Sequence, residues 1–270
     1  MTMNSRMIRF AKAHACGNDF LIVEGECDPA LAVRLCARNT GVGADGVEFL
    51  EWTEERAGRI RLANADGSIA EISGNGTRCV AAWIAFQKGV SVGESIALQT
   101  DAGQRECRLV RAEGHGFEFA AGMGVPVIEG KEITLADGTK VAGVAVSTGN
   151  PHFVIFVDDG SFGAYGQAWQ ELGNKICTHG AFPDETNVEF VRVIDTDQIE
   201  IRIFERGVGL TSSSGTGTCA AAAATIARQG GSRHLLVRAP GGEQMVDWLA
   251  DSTEMILTGP AELICTGEAW

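Results

Sequence analysis

Short runs of alternating apolar and polar residues, each closed by Gly, Asp or Asn, set the pattern of the chain. "FLIVEG", "VEFLEW" and "RIRLAN" lie in its first half, and "HFVIFVDD", "VEFVRVI" and "IEIRIFE" in its second. Period-two alternation of β-branched and aromatic residues between turn formers predicts half-buried strands, and the short spacing suits antiparallel pairing. Four segments carry a helical pattern instead: Pro29 to Asn39, Thr77 to Gly89, Phe162 to Cys177 and Thr216 to Gln229. The last is dense in alanine, as a buried central helix would be, and ends at "QGG", a C-terminal stop.

The pattern repeats. "SGNGTRCVAA" from Ser73 returns as "SGTGTCAAA" from Ser214, 141 residues later. Ile60-Arg61-Leu62 and Ile201-Arg202-Ile203 keep the same offset, as do Val47-Glu48-Phe49 and Val188-Glu189-Phe190. "GNDFLIVEG" from Gly17 and "GNPHFVIFVDD" from Gly149 follow in the same order at a slightly shorter offset. A period this long excludes a solenoid and predicts two homologous halves, 1–130 and 131–270. The expected fold class is α/β (α+β): two pseudo-symmetric domains, each a mostly antiparallel sheet wrapped around a central helix, with the active site in the cleft between them.

The 270 residues suffice for two such domains with substantial cores. A net charge of -13 argues against nucleic acid or an anionic membrane as partner, but not against a small anionic substrate. The opening "MTMNSRMIRFAKAH" has no apolar h-region and no apolar run reaches 18 residues, so the expected location is the cytoplasm. Eight cysteines form no CxxC pair and no zinc spacing, so reduced thiols are expected and no metal site.

The repeated glycine turns are where chemistry is expected. Each opens a helix, so unsatisfied N–H groups and the helix dipole favour an anion such as a carboxylate. Gly74 and Gly76, with Gly215 and Gly217, let the backbone approach a ligand, while Ser73 and Ser214 would flank it. Serine is also a plain N-cap, and only the matched pair points past that role. A site with two related faces suits inversion of a stereocentre with one base on each side. Around the turns lie Asn18, Asn64, Asn150, His152, Asn187, Glu205 and Arg206. Arg206 is a natural bidentate partner for a second carboxylate. Asp19 and Asp66 read as turn residues. His152 reads equally as a capped surface histidine or as a group near the reacting carbon.

"ACGNDFLIVEG", "NTGVGADGVEF", "NADGSIAEISGNGTRC", "STGNPHFVIFV", "FPDETNVEFV" and "ERGVGLTSSSGTGTCAAAA" together resemble the successive motifs of the diaminopimelate epimerase family, in order, from Ala15 to Ala223. The resemblance implies two domains of the kind described, a homodimer, no pyridoxal phosphate, metal or other cofactor, and two-base interconversion of LL- and meso-diaminopimelate. It implies that Asn64, Asn150, Asn187 and Arg206, with Asn18 nearby, hold the distal amino-carboxylate. Glu205 and His152 would sit beside the reacting centre, and Gly74, Asn75, Gly215 and Thr216 would offer N–H groups to the reacting carboxylate.

The two bases depart from the pattern. The family has a cysteine directly before each glycine turn; here the positions hold Ser73 and Ser214. A thiol at a helix N-terminus supplies a thiolate near neutral pH, whereas a serine hydroxyl needs another base to activate it. Three readings stay open: a deliberate Cys-to-Ser exchange, serines assisted by His152 and Glu205, or a retained binding site without the reaction. A racemase of another amino acid and a non-catalytic amino-acid-binding protein are the alternative functions.

Overall fold

The computed structural model describes residues 7–270; the first six, which belong to the stretch read for a leader segment, lie outside the described residues. The chain forms two compact units, one of residues up to Ala121 together with Gly259–Trp270, the other Gly122–Thr258. The repeat register alone divides the chain at residue 130. The structure instead returns the C-terminal strand to the first unit, where it gives the first strand its second neighbour beside β2 (Asn18–Glu24).

In the first unit, β1 (Ile8–Ala15) and β2 (Asn18–Glu24) form a hairpin, and α1 (Pro29–Cys36) leads into β3 (Gly46–Glu54) and β4 (Ala57–Asn64). A two-residue strand, β5 (Ile69–Ala70), precedes the central helix α2 (Gly74–Lys88). Then come β6 (Ser95–Thr100), β7 (Gly103–Glu113) and β8 (Gly116–Gly122). The final strand of the chain, β17 (Ile256–Ala269), pairs with both β8 and β1 and closes the sheet into a barrel around α2. Most neighbours are antiparallel, while β2–β3 and β4–β6 are parallel, bridged by α1 and α2.

The second unit repeats this order. It begins with β9 (Val127–Thr134), β10 (Lys140–Ser147) and β11 (Pro151–Phe156), followed by α3 (Trp169–Cys177). Next are β12 (Asn187–Val193), β13 (Gln198–Glu205), the short β14 (Gly209–Thr211) and the central helix α4 (Gly215–Gln229). β15 (His234–Ala239) and β16 (Gly242–Asp247) complete it, with residues 256–258 of β17 paired to β16. The parallel pairs recur at β11–β12 and β13–β15.

The first three turns of each central helix are almost wholly buried, and in α4 this stretch is accordingly small and apolar, an alanine run rather than an amphipathic stripe. Ala220 to Ala224 are wholly inaccessible, and Cys79, Val80, Ala81 and Ile84 of α2 equally so. The small side chains let the sheet approach the helix axis closely. α1 and α3 lie instead on the outer faces, α1 against Leu21, Val47 and Phe49 and α3 against Phe153, Val188 and Phe190.

All four helices have a boundary that differs from the sequence pattern. α2 and α4 begin at the glycines, three and one residues before the expected starts, because Ser73 and Ser214 cap them. α3 begins only at Trp169, since Phe162 and Tyr165 take positive φ and the segment before the helix folds into turns. α1 stops at Cys36, where Gly41 and Val42 turn back onto the carbonyls of Ala37 and Leu35. Six of the eight cysteines are buried, Cys265 is exposed, and no helix among the described residues is long and apolar enough to cross a membrane.

Candidate functional site

In the first unit, Ser73 is the N-cap of α2, with extended backbone (φ -121, ψ 122). Its Oγ accepts from the Gly76 N–H at 3.0 Å, while its carbonyl accepts from Thr77 N. That geometry places Gly74 and Asn75 in the first turn, whose N–H groups have no acceptor within the helix. The Asn75 side chain is buried and donates to Asn18 Oδ1 at 3.1 Å. Asn18 in turn donates to Asp45 at 2.7 Å. The two-residue turn Cys16-Gly17, both at positive φ, sets Asn18 at the mouth of the hairpin. Behind Asn75 the wholly buried Arg78 donates to Asn75 Oδ1 at 2.6 Å and to the Pro260 carbonyl. Asn64, at the end of β4, bonds Ser68 across the turn that Asp66 organises by accepting from Ser68 N and Oγ.

Asp66 is thus the turn residue expected. Asp19 is not: it stands within β2, where it pairs with Lys12 at 2.9 Å and with Arg38 at 3.0 Å. The dipeptide "ND" imitates a turn signal, but strand pairing from Asn18 onward and two cationic partners decide its place.

In the second unit, Ser214 caps α4 the same way, accepting from Gly217 N at 3.2 Å, with Gly215 and Thr216 in the first turn. From Ser214 a line of hydrogen-bond contacts runs inward. Ser214 Oγ lies 3.5 Å from Thr216 Oγ1, which accepts from Asn150 Nδ2 at 3.3 Å. Asn150 Oδ1 faces His152 Nε2 at 3.0 Å, and His152 Nδ1 lies 2.8 Å from Glu189 Oε1. Both His152 and Glu189 are buried, so the surface-histidine alternative is closed. With Asn150 Oδ1 as acceptor, Nε2 carries a hydrogen, and the Nδ1–Glu189 contact holds a second proton between them. Burial pushes the Glu189 carboxyl up, and His152 draws it partly back.

Asn187, at the start of β12, donates to the Pro151 carbonyl and accepts from the Arg206 backbone N–H at 2.9 Å. The exposed Arg206 guanidinium donates to the Asp184 carbonyl at 2.7 Å, which steadies it while leaving donors toward solvent. Glu205 ends β13 directly before it, half-buried. The structure therefore gathers Asn18 with Asn75 in one unit, and Asn150, His152, Thr216 and Ser214 in the other, with Asn187 joined to Arg206.

Glu48, Glu189, Asp45 and Arg78 were not among the residues singled out from the sequence. The sign that could have found two of them is the repeated "VEF", an acidic residue at an inward position of an otherwise apolar strand, twice in the same register. Cys79 and Cys219 lie wholly buried within their helices, and burial pushes the Cys79 thiol up, so it supplies no thiolate.

The fold is shared with solved structures of other proteins. A hydroxyproline epimerase from Agrobacterium vitis, solved with trans-4-hydroxy-L-proline, superposes with a TM-score of 0.73 at 15% identity, covering 99% of this chain and 93% of the other. A PhzF-family phenazine biosynthesis protein from Bacillus anthracis gives 0.69 at 16%, covering 98% and 99%. These share the fold.

Sequence narrows the class. The diaminopimelate epimerase family profile matches residues 10–128 and again 144–264, once per half. The diaminopimelate epimerase of Moorella thermoacetica is 34% identical over 280 residues, 97% of this chain and 99% of that one. That of Desulforudis audaxviator is 38% identical over 287 residues, 97% and 99% respectively. The chain belongs to the diaminopimelate epimerase family, a family of isomerases.

Proposed function

We propose that this protein binds LL- and meso-diaminopimelate and exchanges the proton at one α-carbon, with Ser73 and Ser214 serving its opposite faces. The observation that carries the reading is the line of contacts from Ser214 through Thr216, Asn150 and His152 to Glu189. It ties the serine to acid–base groups that a bare N-cap would not need. Both first turns supply N–H donors for the α-carboxylate, and their dipoles favour the negative charge that grows on it as the α-proton leaves. Asn64, Asn150, Asn187 and Arg206 hold the distal amino-carboxylate, with Asn18 nearby. Glu205 and His152 attend the reacting centre. No cofactor enters the step. In this reading the protein is a cytoplasmic homodimer that supplies a precursor for lysine and peptidoglycan, and it engages neither nucleic acid nor membrane.

Serine is a weaker acid than a thiol and a poorer match to neutral pH, so turnover is slow. The test is α-proton exchange of LL-diaminopimelate in D₂O, followed by ¹H NMR, for this chain and for the S73C/S214C double variant. Slow exchange in the chain and an increase of about 10²-fold or more in the double variant is the expected result. Silence in both would transfer the reading to another amino acid or to binding alone.

A further inference from the structure

The two units carry one buried carboxyl each at the same place in the repeat, and only one has a partner. Glu189 on β12 bonds His152, which stands beside Asn187 in the parallel pairing of β11 with β12. In the first unit Phe20 stands beside Gly46 at the matching place of β2 and β3, so no imidazole reaches Glu48. Glu48 is 1% exposed, and among the described residues neither of its carboxyl oxygens has a hydrogen-bond partner. An unpaired buried carboxyl costs free energy, and a fold retains one chiefly where it serves a purpose.

Its position suggests that purpose. A Cβ built on Gly76 would lie 1.9 Å from Glu48 Oε1, so the carboxyl rests directly against the first turn of α2. Gly76 is also the residue whose N–H bonds Ser73 Oγ. Glu48 and Ser73 border one tight crevice, too narrow to hold a water, together with Ile60, Leu62, Glu71 and Thr100. In the second unit the equivalent point on Gly217 lies 2.8 Å from Glu189 Oε1 and 3.3 Å from Ser214 Oγ, so the glycine-for-carboxyl fit is built twice.

We propose that Glu48 is the proton partner of Ser73: the group that takes the hydroxyl proton as Ser73 Oγ accepts the substrate's α-proton, and that returns it in the reverse direction. The inference rests on the proposed α-proton exchange and extends it to the unit where His152 has no counterpart. Atoms balance without a co-reactant. The α-C–H bond breaks as a new O–H bond forms at Ser73, the original O–H proton moves to the Glu48 carboxylate, and the electron pair stays on the α-carbon. In the opposite sense the Glu48 carboxyl reprotonates Ser73 as its hydroxyl proton passes to the carbanion.

Burial holds the Glu48 carboxyl up at about 8, close to working pH, where a proton is both held and released. The titratable groups that bear on it are Glu71 on the loop entering α2, Cys79 on α2, and Cys27 on the segment between β2 and α1.

Two measurements on the full chain test this. The first is the pH profile of α-proton exchange on LL-diaminopimelate for the parent and E48Q. The second is the thiolate absorbance of the thiol introduced by S73C, with Glu48 present and in E48Q, each read against its serine parent so that the native cysteines cancel. In the parent, exchange rises through a single inflection near pH 8; E48Q loses the inflection and at least about tenfold of the rate. The thiol at position 73 titrates about one pH unit or more lower in E48Q, because the facing charge is gone. Identical thiol titrations in the two backgrounds would overturn the inference, as would an exchange rate and profile indifferent to E48Q. Coupled thiol titration with no exchange in the parent would refute the proposed reaction while sustaining the electrostatic coupling between residues 48 and 73.

Discussion

A carboxyl at an inward position of a strand is an energetic burden at some pH values and neutral at others, and Glu48 makes that dependence measurable. Its folded-state value of about 8 stands above the ordinary 4.5. The unfolded chain therefore releases this proton first, and folding must hold it on. Stability associated with Glu48 is full below pH 4.5 and is lost as pH rises through about 8. The expected outcome is that E48Q, which keeps the shape but cannot ionise, becomes more stable than the parent as pH rises. The gap should approach the order of 4 kcal/mol above pH 8. Urea midpoints of the two proteins from pH 4 to 9 would check this; parallel curves would place the carboxyl in water. Glu189, also raised by burial but opposed by His152, has a partner with which to share its proton.

At the scale of elements, the ends of the helices matter more than their middles. α2 and α4 have side-chain caps at the start and a left-handed glycine, Gly89 or Gly230, at the end. α3 lacks the first: Ala168 precedes it with extended backbone and no side-chain cap, while Glu171 stands in its first turn. A168S would complete a capping box with Glu171, and Ala168 is exposed, so nothing need move. Thermal or urea unfolding should show a gain of about 0.5–1 kcal/mol. S73A should lose about 1 kcal/mol by the reverse argument, because the buried Gly76 N–H loses the hydroxyl that it donates to. A loss near zero would mean that the hydroxyl has no capping role and that its placement serves the ligand alone.

The first unit as a whole depends on a strand from the far end of the chain. β17 pairs with β1 from Glu262 to Ala269 and also with β8, and Ala261 lies in the core around α2. Ending the chain after Thr258 would strip partners from two strands at once and leave the barrel with two open edges. Residues up to Ala121 should then become susceptible to proteolysis while Gly122–Thr258 remains resistant, a result readable by limited digestion and mass spectrometry. Uniform protection would show that the barrel tolerates the gap.

Much of this architecture was legible in the chain itself because its causes are local or periodic. Alternation marked the strands, alanine density marked α4 as central, and a shared offset exposed the duplication. The same register singled out Ser73 and Ser214, since capping residues and glycines act within one turn. What needed tertiary structure were facts about partners. Asp19 looked like a turn residue until Lys12 and Arg38 met it. His152 looked equally suited to the surface until β11 turned it inward onto Glu189. Glu48 read as one letter of a strand motif, because whether a carboxyl is buried, and whether anything answers it, depends on strands and helices distant in sequence. The return of β17 to the first unit is of the same kind: edge pairing belongs to no single segment. Sequence determined the elements, their repetition and the family, since these follow from short-range chemistry. Folding alone decided which buried charges meet and which stand alone.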